Sequence, residues 1–172
     1  EDVLKFTYNK SGKLISAQNG SKKAVFSYDG NGRLIKKDIT DSDGYTVSDI
    51  FEYNDRGELI RATISQDESG MANLTEEYQY DENGMLTKKV SKNFRGMTEE
   101  YEYKNDEHGN PIEIRYTEKE HDEISYSSTE TYSYEYGAKK IVAVGETDRG
   151  GVKRTYEYQK SQSVITPESD IF

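Results

Sequence analysis

An Asp or Asn followed three residues later by Gly punctuates this chain and constrains its fold more than any other feature. The mark occurs as Asn9-Lys-Ser-Gly12, Asp29-Gly-Asn-Gly32, Asp41-Ser-Asp-Gly44, Asn54-Asp-Arg-Gly57 and Asp67-Glu-Ser-Gly70. It recurs as Asp81-Glu-Asn-Gly84, Asn93-Phe-Arg-Gly96, Asp106-Glu-His-Gly109 and Asp148-Arg-Gly-Gly151, about every 12 to 14 residues over the first two thirds of the sequence. Asp or Asn at the first position of a type I turn accepts a bond from its own backbone two residues on, and Gly supplies the left-handed residue that closes the turn as a bulge. Such turns join antiparallel strands.

A longer unit lies over the turns. Aromatic pairs precede them at Phe6-Thr-Tyr8, Phe26-Ser-Tyr28, Phe51-Glu-Tyr53, Tyr78-Gln-Tyr80 and Tyr101-Glu-Tyr103, with weaker copies at Tyr132-Ser-Tyr134 and Tyr156-Glu-Tyr158. Gly-x-Leu follows four of the turns, at Leu14, Leu34, Leu59 and Leu86. Period-two alternation of aromatic and polar residues runs through every unit, and no window carries apolar residues at helical spacing. The expected fold is therefore all-β: a long antiparallel up-and-down meander of about 13–14 strands in one twisted, curled sheet. A closed barrel, which would remove exposed edges, is the alternative. A single β-repeat domain is expected over residues 1–166, regular over 3–117 and degenerate over 118–166, followed by a tail at 167–172.

The turn geometry also predicts a register. Counting outward from each turn sets Tyr28 against Leu34, and Phe26, Phe51, Tyr78 and Tyr101 against Lys36, Arg61, Lys88 and Arg115. Those four pairs would be cross-strand cation–π contacts. Successive aromatic motifs are mostly an odd number of residues apart. Neighbouring hairpins would then aim their rings at opposite faces, unless one extra bulge per unit brings all of them to one face. Asn19-Gly20 reads as a tight two-residue hairpin turn.

Composition narrows the function. The apolar fraction is 32%, and even with 14 Gly counted it falls short of the roughly 45–50% of an ordinary globular domain. Yet there are 15 Tyr and 5 Phe, which suits a sheet wet on both faces, because Tyr packs its ring while its hydroxyl meets water. The net charge is −10 with no block of Lys or Arg, which argues against nucleic acid as a partner. Cys is absent, excluding disulfides and thiolate chemistry. No apolar run approaches the roughly 18 residues of a membrane helix.

Candidate chemistry is sparse. His108 sits in a turn and His121 in a charged stretch without Gly, so both read as exposed loop residues rather than bases. Carboxylates are too numerous for any one pair to point to a glycosidase. Asp41-Ser-Asp43-Gly44 resembles the start of a calcium loop, but Glu52, twelfth in that count, falls in a strand, and an ordinary hairpin turn is the better reading. No catalytic residue, metal ligand or cofactor is assigned. The weak binding candidates are the aromatic stripe, Phe26, Tyr28, Phe51, Tyr53, Tyr78, Tyr80, Tyr101 and Tyr103. Such rings can stack on sugars, or simply pack on Leu and on the stems of Lys and Arg.

The pattern Tyr-x-Tyr-Asp-x-x-Gly-x-Leu, best kept at Phe26–Leu34 and Tyr78–Leu86, resembles the YD repeats of the RHS family and small secreted or lipid-anchored repeat proteins of Bacteroides-type bacteria. That resemblance covers about Lys5 to Arg115. It implies a curling β meander in an extracytoplasmic setting, the periplasm or surface of a Gram-negative bacterium, with a signal segment removed and a lipid anchor upstream as an option. It transfers no catalytic residue. The function expected is a non-enzymatic structural or interaction module of the cell envelope, with an unknown protein or glycan as partner. A carbohydrate-binding protein using the aromatic stripe is the alternative, and a glycoside hydrolase a remote one.

Overall fold

The computed structural model describes residues 4–65, 73–136, 140–147 and 154–159. They form thirteen strands and no helix. The strands are β1 (Leu4–Tyr8), β2 (Leu14–Asn19), β3 (Lys22–Tyr28), β4 (Leu34–Thr40), β5 (Thr46–Tyr53), β6 (Leu59–Ser65) and β7 (Asn73–Tyr80). They continue as β8 (Leu86–Lys92), β9 (Met97–Asn105), β10 (Pro111–Glu120), β11 (Glu123–Tyr136), β12 (Lys140–Thr147) and β13 (Arg154–Gln159). Each hydrogen-bonds to the next in sequence, and β1 and β13 are not partners, so the meander is one open sheet and not a closed barrel. Residue packing divides the chain into a first unit ending at Glu77 and a second beginning at Tyr78.

The turns form as their residues dictate. In the first unit Asp29 N donates to Arg33 O at 2.9 Å and Gly32 N to Asp29 O at 2.9 Å, and the Asp29 carboxylate accepts from the Asn31 and Arg33 amides. The same pair of backbone bonds closes the turns at Asn9, Asp41, Asn54, Asp81, Asn93 and Asp106, with the closing Gly near φ +80°. The marks at Asp67 and Asp148 lie outside the described residues. Two other turns are two-residue loops. The Asn19-Gly20 turn sits one residue later than expected, as Gly20-Ser21, with Gly20 at φ 56 in the first central position. The stretch without Gly turns on His121 and Asp122, at φ 51 and 67, a primed turn made without glycine.

The register is where the expectation fails. Tyr28 does face Leu34, but Ser27 faces Lys36, so Ile35 is an extra residue and Phe26 faces Lys37. The same displacement makes Ile15, Ile60 and Ile112 extra residues in their hairpins. Phe51 consequently faces Ala62 rather than Arg61, and Tyr101 faces Tyr116 rather than Arg115. Lys89, not Lys88, reaches Tyr78, with Nζ 5.8 Å from the ring centroid. Three of the four predicted pairs are thus one residue out in register, because an extra Ile follows Leu34, Leu59 and Pro111, and Tyr78 meets Lys89 in place of Lys88.

That bulge also decides which way the rings point. A bulge shifts the parity of everything beyond it. In the first unit, cross-strand rows put Phe6, Tyr8, Phe26, Tyr28, Phe51 and Tyr53 on one face. In the second, Tyr101, Tyr103, Tyr116, Tyr126, Tyr132 and Tyr134 share one face. The aromatic face of the first unit holds the small residues that are fully covered: Ala17 in a row with Phe6 and Ala24, and Ala62 opposite Phe51. The opposite face carries ion pairs, such as Arg61–Glu77 at 3.1 Å in the first unit and Lys119–Glu100 at 2.8 Å in the second.

Candidate functional site

Successive hairpins part toward their Asp turns, and the aromatic motif closes the gap. Strand β2 begins pairing with β3 only at Ser16, leaving the Leu14 carbonyl outside the ladder. The Tyr28 hydroxyl donates to it at 2.6 Å. Strand β4 pairs with β5 only from Lys36, and Tyr53 Oη donates to Leu34 O at 2.9 Å. In the second unit Asn105 occupies the place of the second Tyr and donates Nδ2 to Leu86 O at 2.8 Å, while Tyr134 donates to Pro111 O at 2.8 Å. A backbone carbonyl out of water needs such a donor. Burial holds the Tyr28 and Tyr53 hydroxyls above their usual pKa, keeping them protonated donors.

A cation completes the joint twice in the first unit. Lys13 Nζ lies 5.2 Å from the Tyr28 ring centroid, and the Arg33 guanidinium 4.9 Å from that of Tyr53. Both side chains also bond onward, Lys13 to Gly32 O at 2.5 Å and Arg33 to Asn54 O at 3.2 Å. The residue after each turn Gly therefore reaches to the following turn. In the second unit, rings touch each other instead: Tyr101 and Tyr116 are 4.9 Å apart, and Tyr116 and Tyr126 5.8 Å. Burial, followed by the nearby Glu99 carboxylate, pushes the Tyr116 pKa to about 12.

All eight residues of the expected stripe lie on the aromatic faces or on β7, and all eight are half-buried. Sequence reasoning missed three features. Tyr116 and Tyr126 extend the ring contacts, and their Tyr-x-Glu and Tyr-x-Ser contexts did not match the motif. The third is an ion pair on the aromatic face, Lys37 Nζ to Asp49 Oδ2 at 3.0 Å, with Asp49 only 4% exposed. Lys37 lies between Phe26 and Asp49 in one cross-strand row, and Asp49 Oδ1 also accepts the Ser65 amide at 3.0 Å. Ser65 is the last residue of β6, so the carboxylate finishes that strand.

The second unit bears a shallow open depression of about 330 Å³, lined by Gln79, Thr87, Lys88, Glu102, Lys104, Glu113 and Arg115 together with the stripe residue Tyr103. Its acids are paired. Glu113 meets Lys104 at 3.0 Å and Arg115 at 2.8 Å, and the Lys104 bond first of all holds its carboxyl below the usual range. A general acid for glycoside hydrolysis needs the opposite shift. Beside it Glu100 takes Lys119 and Lys88, and its carboxyl is likewise held low by the Lys119 bond, then by Lys88.

A second depression, about 350 Å³, lies in the first unit between the β2–β3 tip and the turn containing Asp41 and Asp43. Asp41 Oδ1 accepts from the Asp43 and Tyr45 amides, as in the other hairpin turns, and Glu52 stands on β5 opposite Arg61. Among the described residues no group of three acids or histidines could hold a metal ion. His108 is exposed and tilts onto Tyr136 at 4.4 Å, and Tyr136 donates to the Asp106 carboxylate. His121 is exposed at its turn.

No protein-family model matches this chain, and no curated protein matches it. Among solved structures, the crystal structure of TcdB2-TccC3-Cdc42 is similar over 91% of this chain and 13% of that one, at 12% identity and a TM-score of 0.26. At that score the likeness carries no argument about function, and the YD resemblance rests on the repeated motif itself.

Proposed function

We propose that this chain is a non-enzymatic structural and interaction module of a bacterial cell envelope, working outside the cytoplasm. One observation carries the reading: the aromatic stripe is spent within the protein. Tyr28 and Tyr53 close backbone carbonyls and lie under or beside cations, and all eight rings are half-buried. The face opposite the aromatics carries ion pairs over shallow relief, suited to broad contact rather than to enclosing a substrate. The extracytoplasmic setting follows from the resemblance to secreted YD-type proteins.

Screening the purified protein against a glycan array, alongside capture and identification of envelope proteins, tests this. We expect no glycan signal and a captured protein whose binding is competed by untagged chain. Glycan binding lost in Tyr101→Ala or Tyr103→Ala would replace this reading with the carbohydrate-binding one. Hydrolysis of a glycan by the protein, lost in Glu113→Gln, would replace it with an enzyme.

A further inference from the structure

Asparagine precedes glycine at three places in this chain: Asn19-Gly20, Asn31-Gly32 and Asn83-Gly84. The pairing is reactive because glycine has no side chain to shield its amide nitrogen or restrict its approach. Once deprotonated, that nitrogen can attack the side-chain carbonyl carbon of the asparagine before it. All three asparagines are exposed, so access to water does not separate them. Hydrogen bonding does.

At two of the three places the glycine amide is engaged. Gly32 N donates to Asp29 O at 2.9 Å, and Gly84 N to Asp81 O at 3.1 Å. The asparagines before them are held as well, Asn31 N donating to Asp29 Oδ1 and Asn83 N to Asp81 Oδ1, each at 2.9 Å. Attack there requires breaking the bond that closes a capped turn. Asn19-Gly20 is built differently. Gly20 takes the first central position of a two-residue loop, outside the ladder. Its carbonyl accepts from Gln18 Nε2 at 3.1 Å, but its amide has no acceptor among the described residues. Asn19 is the last residue of β2, at the end of a ladder of four pairs, where local opening begins.

We propose that Asn19 is a site of spontaneous deamidation, converting in the folded chain ahead of Asn31 and Asn83. The Gly20 nitrogen gives its proton to hydroxide and bonds to Asn19 Cγ. The Cγ–Nδ2 bond then breaks, and Nδ2 leaves as ammonia with a proton taken from water. A second water opens the cyclic imide at either carbonyl. Attack at Cγ frees the side chain as aspartate. Attack at the main-chain carbonyl leaves isoaspartate, with Gly20 joined through the former side chain. Either way one water is consumed, one ammonia is released and an amide becomes a carboxylate. Asn19 lines the same depression as Asp41 and Asp43, so the new carboxylate joins two already there. Isoaspartate also lengthens the backbone by a methylene at the Asn19–Lys22 pair, which loosens the end of β2 from β3. This tip ages to a more acidic form while the capped turns keep theirs.

The test incubates the full chain at mildly alkaline pH, folded in buffer and unfolded in concentrated urea. Mass spectrometry of tryptic peptides reads each site separately, because the acid is heavier than the amide and the isoaspartyl peptide elutes apart. In the folded chain Asn19 should convert about threefold to tenfold faster than Asn31 and Asn83, the factor that one hydrogen bond is worth. In urea, with the turns gone, the three rates should converge. Conversion of Asn31 or Asn83 as fast as Asn19 in the folded chain overturns the proposal. So does an Asn19 that stays intact in the folded chain while all three convert in urea. An advantage for Asn19 that is as large in urea as in buffer also overturns it, since flanking sequence would then set the order.

Discussion

Replacing Tyr53 by Phe isolates the hydroxyl that bridges successive hairpins. The ring, its burial and the Arg33 guanidinium 4.9 Å from its centroid are all retained. Only the 2.9 Å bond to Leu34 O is lost. A typical hydrogen bond contributes about 0.5–1.5 kcal/mol net, and an acceptor left unsatisfied in a buried site costs about 1–3 kcal/mol. Leu34 is half-buried and has no ladder partner on β5, so water reaches its carbonyl only in part. The expected loss is about 1 kcal/mol, or roughly 2–4 °C in Tm for a chain of this size. Tyr28→Phe, with the shorter 2.6 Å bond, should lose as much or slightly more. Tyr45→Phe is the control, since Tyr45 is an exposed turn residue with no hydroxyl partner among the described residues. Urea midpoints measure the effect, and amide exchange at Arg33–Lys36 localises it, because repeat arrays can open locally. If Tyr53→Phe and Tyr28→Phe match Tyr45→Phe within about 0.3 kcal/mol, the hydroxyls do not close these joints.

Four further outcomes follow from the same geometry. Gly57→Ala, at φ +84, and Gly32→Ala, at φ +80, should each destabilise by about 1 kcal/mol or more, with the Lys13 ammonium swinging aside from the new Cβ at Gly32; thermal melts check both. Asp122→Gly should stabilise by about 0.5–1 kcal/mol in a denaturant titration, since a residue at φ 67 gives way to one that adopts it freely. Asp49→Ala should cost about 2–4 kcal/mol by leaving Lys37 half-buried without its partner, and adding Lys37→Met should recover most of that in the same titration. The pH profile should fall at both ends. Asp29, held low chiefly by the Arg33 amide, and Glu100, held low chiefly by Lys119, give stability that is present above the ordinary values of 3.8 and 4.5 and lost as pH drops through their lower folded values. Tyr116 gives stability that is full below 10 and lost as pH rises toward about 12, and a urea midpoint flat from pH 9 to about 12 would refute it.

The turns and strands were legible because Asp, Asn and Gly act locally: a side chain bonds an amide two residues away, and no distant partner is needed. The register was legible only as far as the turn. Ile35 and its equivalents are bulged, yet Ile in a strand looks like one more member of an alternation, and nothing in its chemistry announces an extra residue. That single unseen residue displaced three of the four predicted pairs and left the facing of the rings open. The repeated aromatic motif was plain in the sequence, but the partners of Tyr28 and Tyr53 are backbone carbonyls, which have no letter in a sequence. Asp49 was not singled out in the sequence; its burial goes with Lys37 from the neighbouring strand, a pairing that needs the register first.

The extra Ile after Leu14, Leu34, Leu59 and Pro111 makes the two ends of a hairpin unequal. At the Asp-turn end, the capped turn, the extra Ile and the Tyr–carbonyl bond fix position so fully that a residue added there would turn every later side chain over. At the other end, the tips vary from the two-residue Gly20-Ser21 loop to the Asp41 and Asn93 turns and the His121-Asp122 tip, and β11 grows to 14 residues without disturbing the rings. Extra length at those tips costs little entropy and leaves the register untouched. Such a chain can acquire new loops along one margin while its ladder stays unchanged, so novelty in its relatives should gather on that margin and spare the other.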